Sequence, residues 1–243
     1  MAREGKGSGS GRRGRSSESD SKPTGRRATV RVKTARGRTV SSQRWLQRQL
    51  NDPYVAEAKK RGYRSRAAFK LLQIDDQFGF LKPGGRIVDL GAAPGGWTQV
   101  SVERTRAERG GGVVIGIDLM PVEPIAGATV LAKDFYDDDA PAVLTELLGG
   151  PADVVLSDMA ASATGDSQVD HLRIMALAEA AHDFARQVLK PGGTFVAKVL
   201  RGGTERTLLE QLKRDFVKVR HVKPEASRAD SAEMYVVGTG FRG

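Results

Sequence analysis

The chain has 243 residues, no cysteine and a formal net charge of +10. The missing thiols exclude disulfide scaffolds, thiol nucleophiles and thiolate zinc sites, and they fit a reducing compartment. No run of about 18 apolar residues predicts a membrane span and no apolar stretch of a secretory signal follows the start, so a soluble cytoplasmic protein is expected.

The charge is unevenly spread. Residues 1–40 hold 12 Lys and Arg against 3 Asp and Glu, a net of +9, whereas residues 41–243 hold 27 against 26. Residues 1–28 are rich in Gly, Ser and Arg and carry almost no large apolar side chain. Such a segment cannot bury enough surface to offset its ordering entropy. Residues 1–40 are therefore read as a disordered basic arm ahead of one globular domain over 41–243. The arm is either a nonspecific nucleic-acid contact acting by counterion release or a solubilising tail. An organellar transit peptide is a third reading, against which the glycines count.

Residues 41–80 read as a basic helical segment. Between 44 and 70 stand 8 Lys and Arg against 2 acids, while residues 71–243 carry 19 bases and 24 acids. A basic front on an acidic body steers an anionic partner to one face. Lys60, Arg64 and Arg66 are candidate RNA contacts; the structural alternative is a solvated helix face. Trp45, Leu46 and Leu50 mark one helix, and Pro53 opens another at a favoured first-turn position. Ser65 is read as the N-cap of a helix over Arg66–Phe78, with Ala68, Leu71, Leu72 and Phe78 as its apolar stripe and Lys70 off it.

From residue 82 to 240 the pattern is a Rossmann-like α/β core. Apolar runs at Arg86–Leu90, Val113–Leu119, Thr129–Ala132, Asp153–Ser157 and Thr194–Leu200 alternate with helical stretches such as 137–149 and 169–189. That alternation predicts a mostly parallel sheet with helices on both faces. Lys-Pro-Gly-Gly occurs at Lys82–Gly85 and Lys190–Gly193, each time expected to end a helix and lead into a strand. Phe216–Val222 and Met234–Thr239 read as two further strands. The 11 residues between them are too few for a parallel crossover and include Pro224, so the last strand is expected to be antiparallel. A seven-stranded sheet ending this way is the topology of class I S-adenosylmethionine-dependent methyltransferases, not of dinucleotide dehydrogenases.

The first strand runs into Asp89–Trp97, DLGAAPGGW. Gly91, Gly95 and Gly96 permit a tight turn and close approach to a ligand, at the strand end where doubly wound sheets bind theirs. Pro94 and the spacing set it apart from a pyrophosphate loop. Asp118, at the next strand end, can accept from ribose hydroxyls, and Asp134, at the third, from an adenine amino group. Asp158 ends the fourth strand and Lys198 interrupts the fifth. A lysine between Ala197 and Val199 is costly to bury unless paired. It is either a silent ion pair or chemistry at the mouth of the cofactor site.

The motifs RWLQRQLNDPYVAEAKKRGYRSRAAFKL, DLGAAPGGW, SDMA, FVAKV and KPEASRADSAEMYVV, spread in order over residues 41–240, resemble the FtsJ/RlmE-type large-subunit ribosomal RNA uridine-2′-O-methyltransferases. The resemblance implies a Lys-Asp-Lys-Glu tetrad at Lys70, Asp158, Lys198 and Glu233. It implies S-adenosylmethionine held by Gly91, Pro94, Gly95, Trp97, Asp118 and Asp134, with Asp158 close by. It implies a uridine 2′-hydroxyl of large-subunit RNA, in the assembled 50S subunit, as substrate; separately, a monomer is expected as the working form. In this scheme Lys198, when neutral, takes the hydroxyl proton, and a second ammonium at Lys70 favours that neutral form by like-charge repulsion. Asp158 holds Lys198, and Glu233 restrains Lys70. Where the family has Pro and Asn after SDMA, this chain has Ala161-Ser162-Ala163-Thr164-Gly165, in a loop expected to border the site; the long arm also lies outside the common core.

Other features read as structural. Trp97 is expected in the core more than as a base-stacking platform, and Trp45 is a candidate for the same stacking role. His171, His182 and His221 lack metal spacing, and Asp137-Asp138-Asp139 reads as a solvated helix start, so no metal is expected. Ser227 and Arg228, in the last hairpin, are RNA-phosphate contacts or an end-of-sheet loop. A transfer-RNA 2′-O-methyltransferase and a catalytically silent ribosome-assembly factor of the same fold remain alternatives, since RNA identity is read by shape and loops.

Overall fold

The computed structural model describes residues 39–162, 164–201 and 206–243. The basic arm read at 1–40 lies outside them apart from its last two residues, and so does the side chain of Trp45.

Three helices open the described chain. In α1 (Val40–Asn51) the Thr39 hydroxyl caps the N-terminus, accepting the Ser42 N–H at 3.2 Å. Asp52 caps α2 (Pro53–Arg61), accepting the Tyr54 N–H at 3.0 Å, and Pro53 takes the first helical position, where its missing N–H costs nothing. The third helix, α3 (Ala68–Phe78), starts later than the sequence suggests. Ser65 does not cap it: its Oγ is buried without a hydrogen-bond partner, and Ala67 stands at the N-cap position. The reason is tertiary. Arg64 and Arg66 are tied to distant carbonyls, and residues 65–70 close through three successive i to i+3 turns, so a regular helix forms only from Ala68.

Seven strands follow: β1 (Arg86–Leu90), β2 (Val113–Asp118), β3 (Thr129–Ala132), β4 (Ala152–Ser157), β5 (Leu189–Leu200), β6 (Phe216–Val222) and β7 (Glu233–Phe241). They form one sheet in the order β3-β2-β1-β4-β5-β7-β6. The β1, β2, β3, β4 and β5 pairings are parallel, and β7 runs antiparallel to both β5 and β6. This is the sheet that the alternation of elements and the short last link predict. Strand order reverses between β1 and β4, where ligands of such sheets bind.

Four helices complete the layers: α4 (Gly96–Thr105), α5 (Ala140–Leu148), α6 (Ser167–Val188) and α7 (Arg206–Asp215). Alternation along each strand splits the core. Val88, Val155, Phe195, Ala197 and Val236 pack with α5, α6 and α7 on one face. Ile87, Val154, Leu156, Val196, Tyr235 and Val237 pack with α2, α3 and α4 on the other. The same period of two carries Leu156 on to Asp158, Val196 to Lys198 and Tyr235 back to Glu233. All three charged groups therefore share the face that α3 covers.

The two Lys-Pro-Gly-Gly runs do not behave alike. Residues 82–85 follow the end of α3, which stops at Gly79 in the left-handed conformation. Residues 190–193 are folded into β5, where pairing with β4 jumps from Ala152–Leu189 to Val154–Thr194. Four residues thus oppose one, an enlarged bulge that re-registers the strand and sets Lys198 opposite Tyr235 of β7.

Candidate active site

The site is assembled where β4, β5 and β7 meet α3. Lys198 Nζ lies 2.8 Å from Asp158 Oδ1 and donates to the Asp158 carbonyl at 2.7 Å. The Tyr235 hydroxyl donates to the same Oδ1 at 2.7 Å. Lys70 Nζ donates to the Tyr235 oxygen at 3.1 Å and pairs with Glu233 Oε1 at 2.7 Å. Ser227 Oγ donates to that Glu233 oxygen at 3.0 Å. The four residues expected from sequence are thus joined in one chain of contacts, with Tyr235 at its centre.

Tyr235 and the inward role of Ser227 were missed. Ser227, expected as a phosphate contact or part of an end-of-sheet surface loop, is buried and faces Glu233. The available signal for Tyr235 was its spacing of two from Glu233, but using it required the β5–β7 register. Its ring packs against Trp97, centroids 5.4 Å apart. The Trp97 indole is buried and donates to the Ala67 carbonyl at 2.8 Å, so it locks α4 to the entry of α3.

Charge is balanced inside this network. Burial alone would raise the Asp158 carboxyl; Lys198 and Lys70 outweigh it and hold it below the usual carboxylate range. Burial, with Asp158 and Glu233 alongside, pushes the Tyr235 phenol well above its ordinary value, so it stays a donor. Asp89 lies beneath the loop after β1. Its Oδ2 accepts from the Thr98 hydroxyl at 2.7 Å and its Oδ1 has no partner. Burial, aided by Asp158 and Asp118, raises its carboxyl to about 7. Between pH 4 and 7 the folded chain then holds a proton that the unfolded chain has lost. That stabilisation is full below about pH 4 and disappears as pH rises through 7. Asp89→Asn should abolish the decline, on the order of a few kcal/mol, in chemical denaturation curves recorded from pH 4 to 8. An unchanged pH dependence would refute it.

Beside the network, at the switch point, lies a cleft of about 420 Å³, within the range of small-molecule sites. Gly91, Asp118 and Asp134 line it, with Ile117, Leu119, Phe135, Tyr136 and Met159 as apolar walls. Gly91 has φ +81°, and a side chain there would meet Met159 Cα at 2.8 Å. Asp118 braces the loop, its two oxygens accepting from the Ala93 and Met120 N–H groups at 2.9 and 2.8 Å. Pro94, Gly95 and Trp97 are not among the lining residues. Trp97 stands in the first turn of α4, where backbone N–H groups lack intrahelical acceptors. Ala160–Ser162, at the departure from the family pattern, does border the cleft, and Thr164 folds that loop onto α6 through Asp170 Oδ1 at 2.7 Å.

Residues 63–241 match the family model described as FtsJ-like methyltransferase. The chain belongs to the FtsJ-like methyltransferase family. It is 64% identical over 220 residues, 90% of either chain, to the ribosomal RNA large subunit methyltransferase E of Paramagnetospirillum magneticum. It is 58% identical over 247 residues to the protein of that name from Rhodospirillum rubrum, covering 99% of this chain and 94% of the other. Among solved structures, a Plasmodium falciparum chain described as a ribosomal RNA methyltransferase is similar with a TM-score of 0.66 and 32% identity, over 74% of this chain and all of that one.

In this FtsJ-like chain the basic residues expected to face RNA have different surroundings. Arg64 Nη1 and Nη2 donate to the Glu123 and Pro124 carbonyls at 2.5 and 2.8 Å, and its side chain abuts Gly95. Arg66 pairs with Asp52 at 3.1 Å and donates to the Ala226 carbonyl. These two guanidinium groups staple the front helices to the loops after β1 and β2 and to the last link. Lys60 is exposed on α2, and Arg228 is partly buried, 3.9 Å from Asp52. His182 is buried with Nε2 3.0 Å from Asp215. Among the described residues no group of three or more His, Cys, Asp or Glu is arranged to hold a metal, and no helix is long and apolar enough to cross a membrane.

Proposed function

We propose that the protein transfers a methyl group from S-adenosylmethionine to the ribose 2′-oxygen of a uridine in large-subunit ribosomal RNA, within the assembled 50S subunit, as a soluble cytoplasmic monomer. The observation that carries this is the continuous Lys198–Asp158–Tyr235–Lys70–Glu233 contact chain beside a ligand-sized cleft at the switch point. The names of relatives 58–64% identical over nearly the whole chain support the same substrate class.

The cleft fits the cofactor: paired carboxylates at successive strand ends suit ribose and adenine groups, the apolar walls suit a purine, and Gly91 admits close approach. When bound, S-adenosylmethionine would supply a methyl group on an electrophilic sulfonium. Gly91, Asp118 and Asp134 would hold it, with the Trp97 N–H and Asp158 nearby. The chain's own task is then to place and deprotonate a hydroxyl, so positioning supplies much of the catalysis. Lys198 Nζ, fixed by both the carboxylate and the carbonyl of Asp158, orients the 2′-hydroxyl and, in its neutral form, accepts its proton. Tyr235 keeps Asp158 turned toward Lys198. Lys70, restrained by Glu233, adds a positive charge that helps to hold the ribose oxygen as it loses its proton. Lys60 and Arg228 contact the RNA.

The test is methyl transfer from labelled S-adenosylmethionine to large subunits lacking the modification, beside free ribosomal RNA and bulk transfer RNA. A 2′-O-methyl group blocks alkaline cleavage at its own linkage. Label should appear on subunit RNA in an alkali-resistant dinucleotide. Label on transfer RNA would overturn the substrate and keep the chemistry. No transfer, by protein that binds cofactor and RNA, would favour a silent assembly factor.

A further inference from the structure

On the sheet face that carries the active site, an open groove of about 630 Å³ runs between the end of α3 and the edge strand β6. Its upper lining includes Val222, whose register partner is Tyr235 of the catalytic network. Its lower lining includes Thr194 and Thr239, which pair near the opposite end of the strands. Lys82, Lys190, Lys218 and Arg220 line it against the single carboxylate of Asp153. That carboxylate is already paired with Lys190. Lys82, Lys218 and Arg220 are exposed, and none enters an ion pair among the described residues. Lys218 and Arg220 lie two positions apart on one strand, about 7 Å, and Lys218 is about 13 Å along β6 from Val222. The groove therefore leads away from the reacting nucleotide, with Arg220 about 7 Å and Lys218 about 13 Å along β6 from the residue that pairs with Tyr235.

We propose that this groove binds the phosphate backbone of substrate RNA flanking the target nucleotide, with Lys218 and Arg220 as its principal contacts. It rests on the RNA-methyltransferase reading above and adds a second contact surface to it. The residues after 70 are acidic in sum, 24 acids against 19 bases, yet this part of their surface sets four Lys and Arg against Asp153 alone. It continues from the tetrad along the same face. Cations on an edge strand also discourage a second strand from pairing. That role predicts self-association on their removal, not a change in RNA affinity.

The experiment compares the full chain with Lys218→Gln/Arg220→Gln and with a charge-matched control, Lys213→Gln/Arg214→Gln, in the last turn of α7 outside the groove. Binding to unmodified large subunits is measured across a salt series without cofactor, and methyl transfer is followed separately. The groove variant should bind about tenfold more weakly. Its log–log salt slope should be shallower by roughly 1.5–2, as expected for two lost phosphate contacts. KM for subunits should rise with kcat kept. Equal weakening in the control, an unchanged slope, or a loss confined to kcat would each overturn the proposal. So would weaker binding to subunits with unaltered binding to their protein-free RNA, which would assign the groove to an acidic protein surface. If wild type methylates nothing, the reading of function falls, while the slope comparison still decides the groove.

Discussion

Lys198→Ala should lower kcat for methyl transfer by about 10²–10⁴-fold, with cofactor affinity and RNA affinity close to wild type. Lys198 is 9% exposed, and its hydrogen bonds among the described residues go to Asp158, so its removal takes the buried amine out of the network. Lys198→Arg should not restore activity, because a guanidinium remains charged at any working pH and cannot take a proton. The variant carries a second signature. Lys198 is the largest influence holding the Asp158 carboxyl down. A depressed carboxyl contributes stability above its unfolded value that is lost as pH falls through the folded one. Without Lys198 that acid limb should move to higher pH in denaturation curves. Rapid single-turnover transfer by Lys198→Ala would end the assignment of Lys198 as base.

Asp158→Ala should be the most damaging single change, to both rate and fold. It leaves Lys198 as a buried ammonium facing only a backbone carbonyl, and breaking a buried pair from one side costs about 3–5 kcal/mol. It also removes the acceptor of the Tyr235 hydroxyl, so the link between Lys70 and Lys198 is severed. Activity should fall by about 10³-fold or more even where the variant is shown to be folded. Asp158→Asn separates the two effects. It keeps the size and a carbonyl oxygen for Tyr235 but removes the charge, so it should recover stability more than rate. Recovery of full rate by the amide would show that Asp158 serves only to fill space.

The parts of the fold visible in the chain were those set by local pattern. Strand limits at Arg86–Leu90, Thr129–Ala132 and Phe216–Val222 coincide with the structure, because β-branched runs bounded by Gly, Pro or charged turns leave few alternatives. The antiparallel last strand was legible for a covalent reason: a link of that length cannot cross over. The helix start at Ser65 was misplaced because a capping signal is worth about 1 kcal/mol, less than the combined hold of the flanking arginine clamps. The second Lys-Pro-Gly-Gly does follow the end of α6 and lead into β5, as its composition indicates, but it also forms the enlarged bulge in β5, a feature that exists only against a neighbouring strand.

The site divides in the same way. Sequence by itself determined the strands, the helices other than α7, their order, and the family resemblance carried by Lys70, Asp158, Lys198 and Glu233 in their motifs. It also located the glycine loop and the acids at successive strand ends. Only the tertiary structure decided that Tyr235 joins the two lysines, that Ser227 turns inward, and that Arg64 and Arg66 clamp carbonyls. The same holds for the cationic groove that forms beside β6. The physical reason is that charge, period and turn chemistry act over a few residues. A hydrogen bond between positions 70 and 235, or 64 and 124, depends on the register of β5 with β7 and on where α3 settles, which no window along the chain contains.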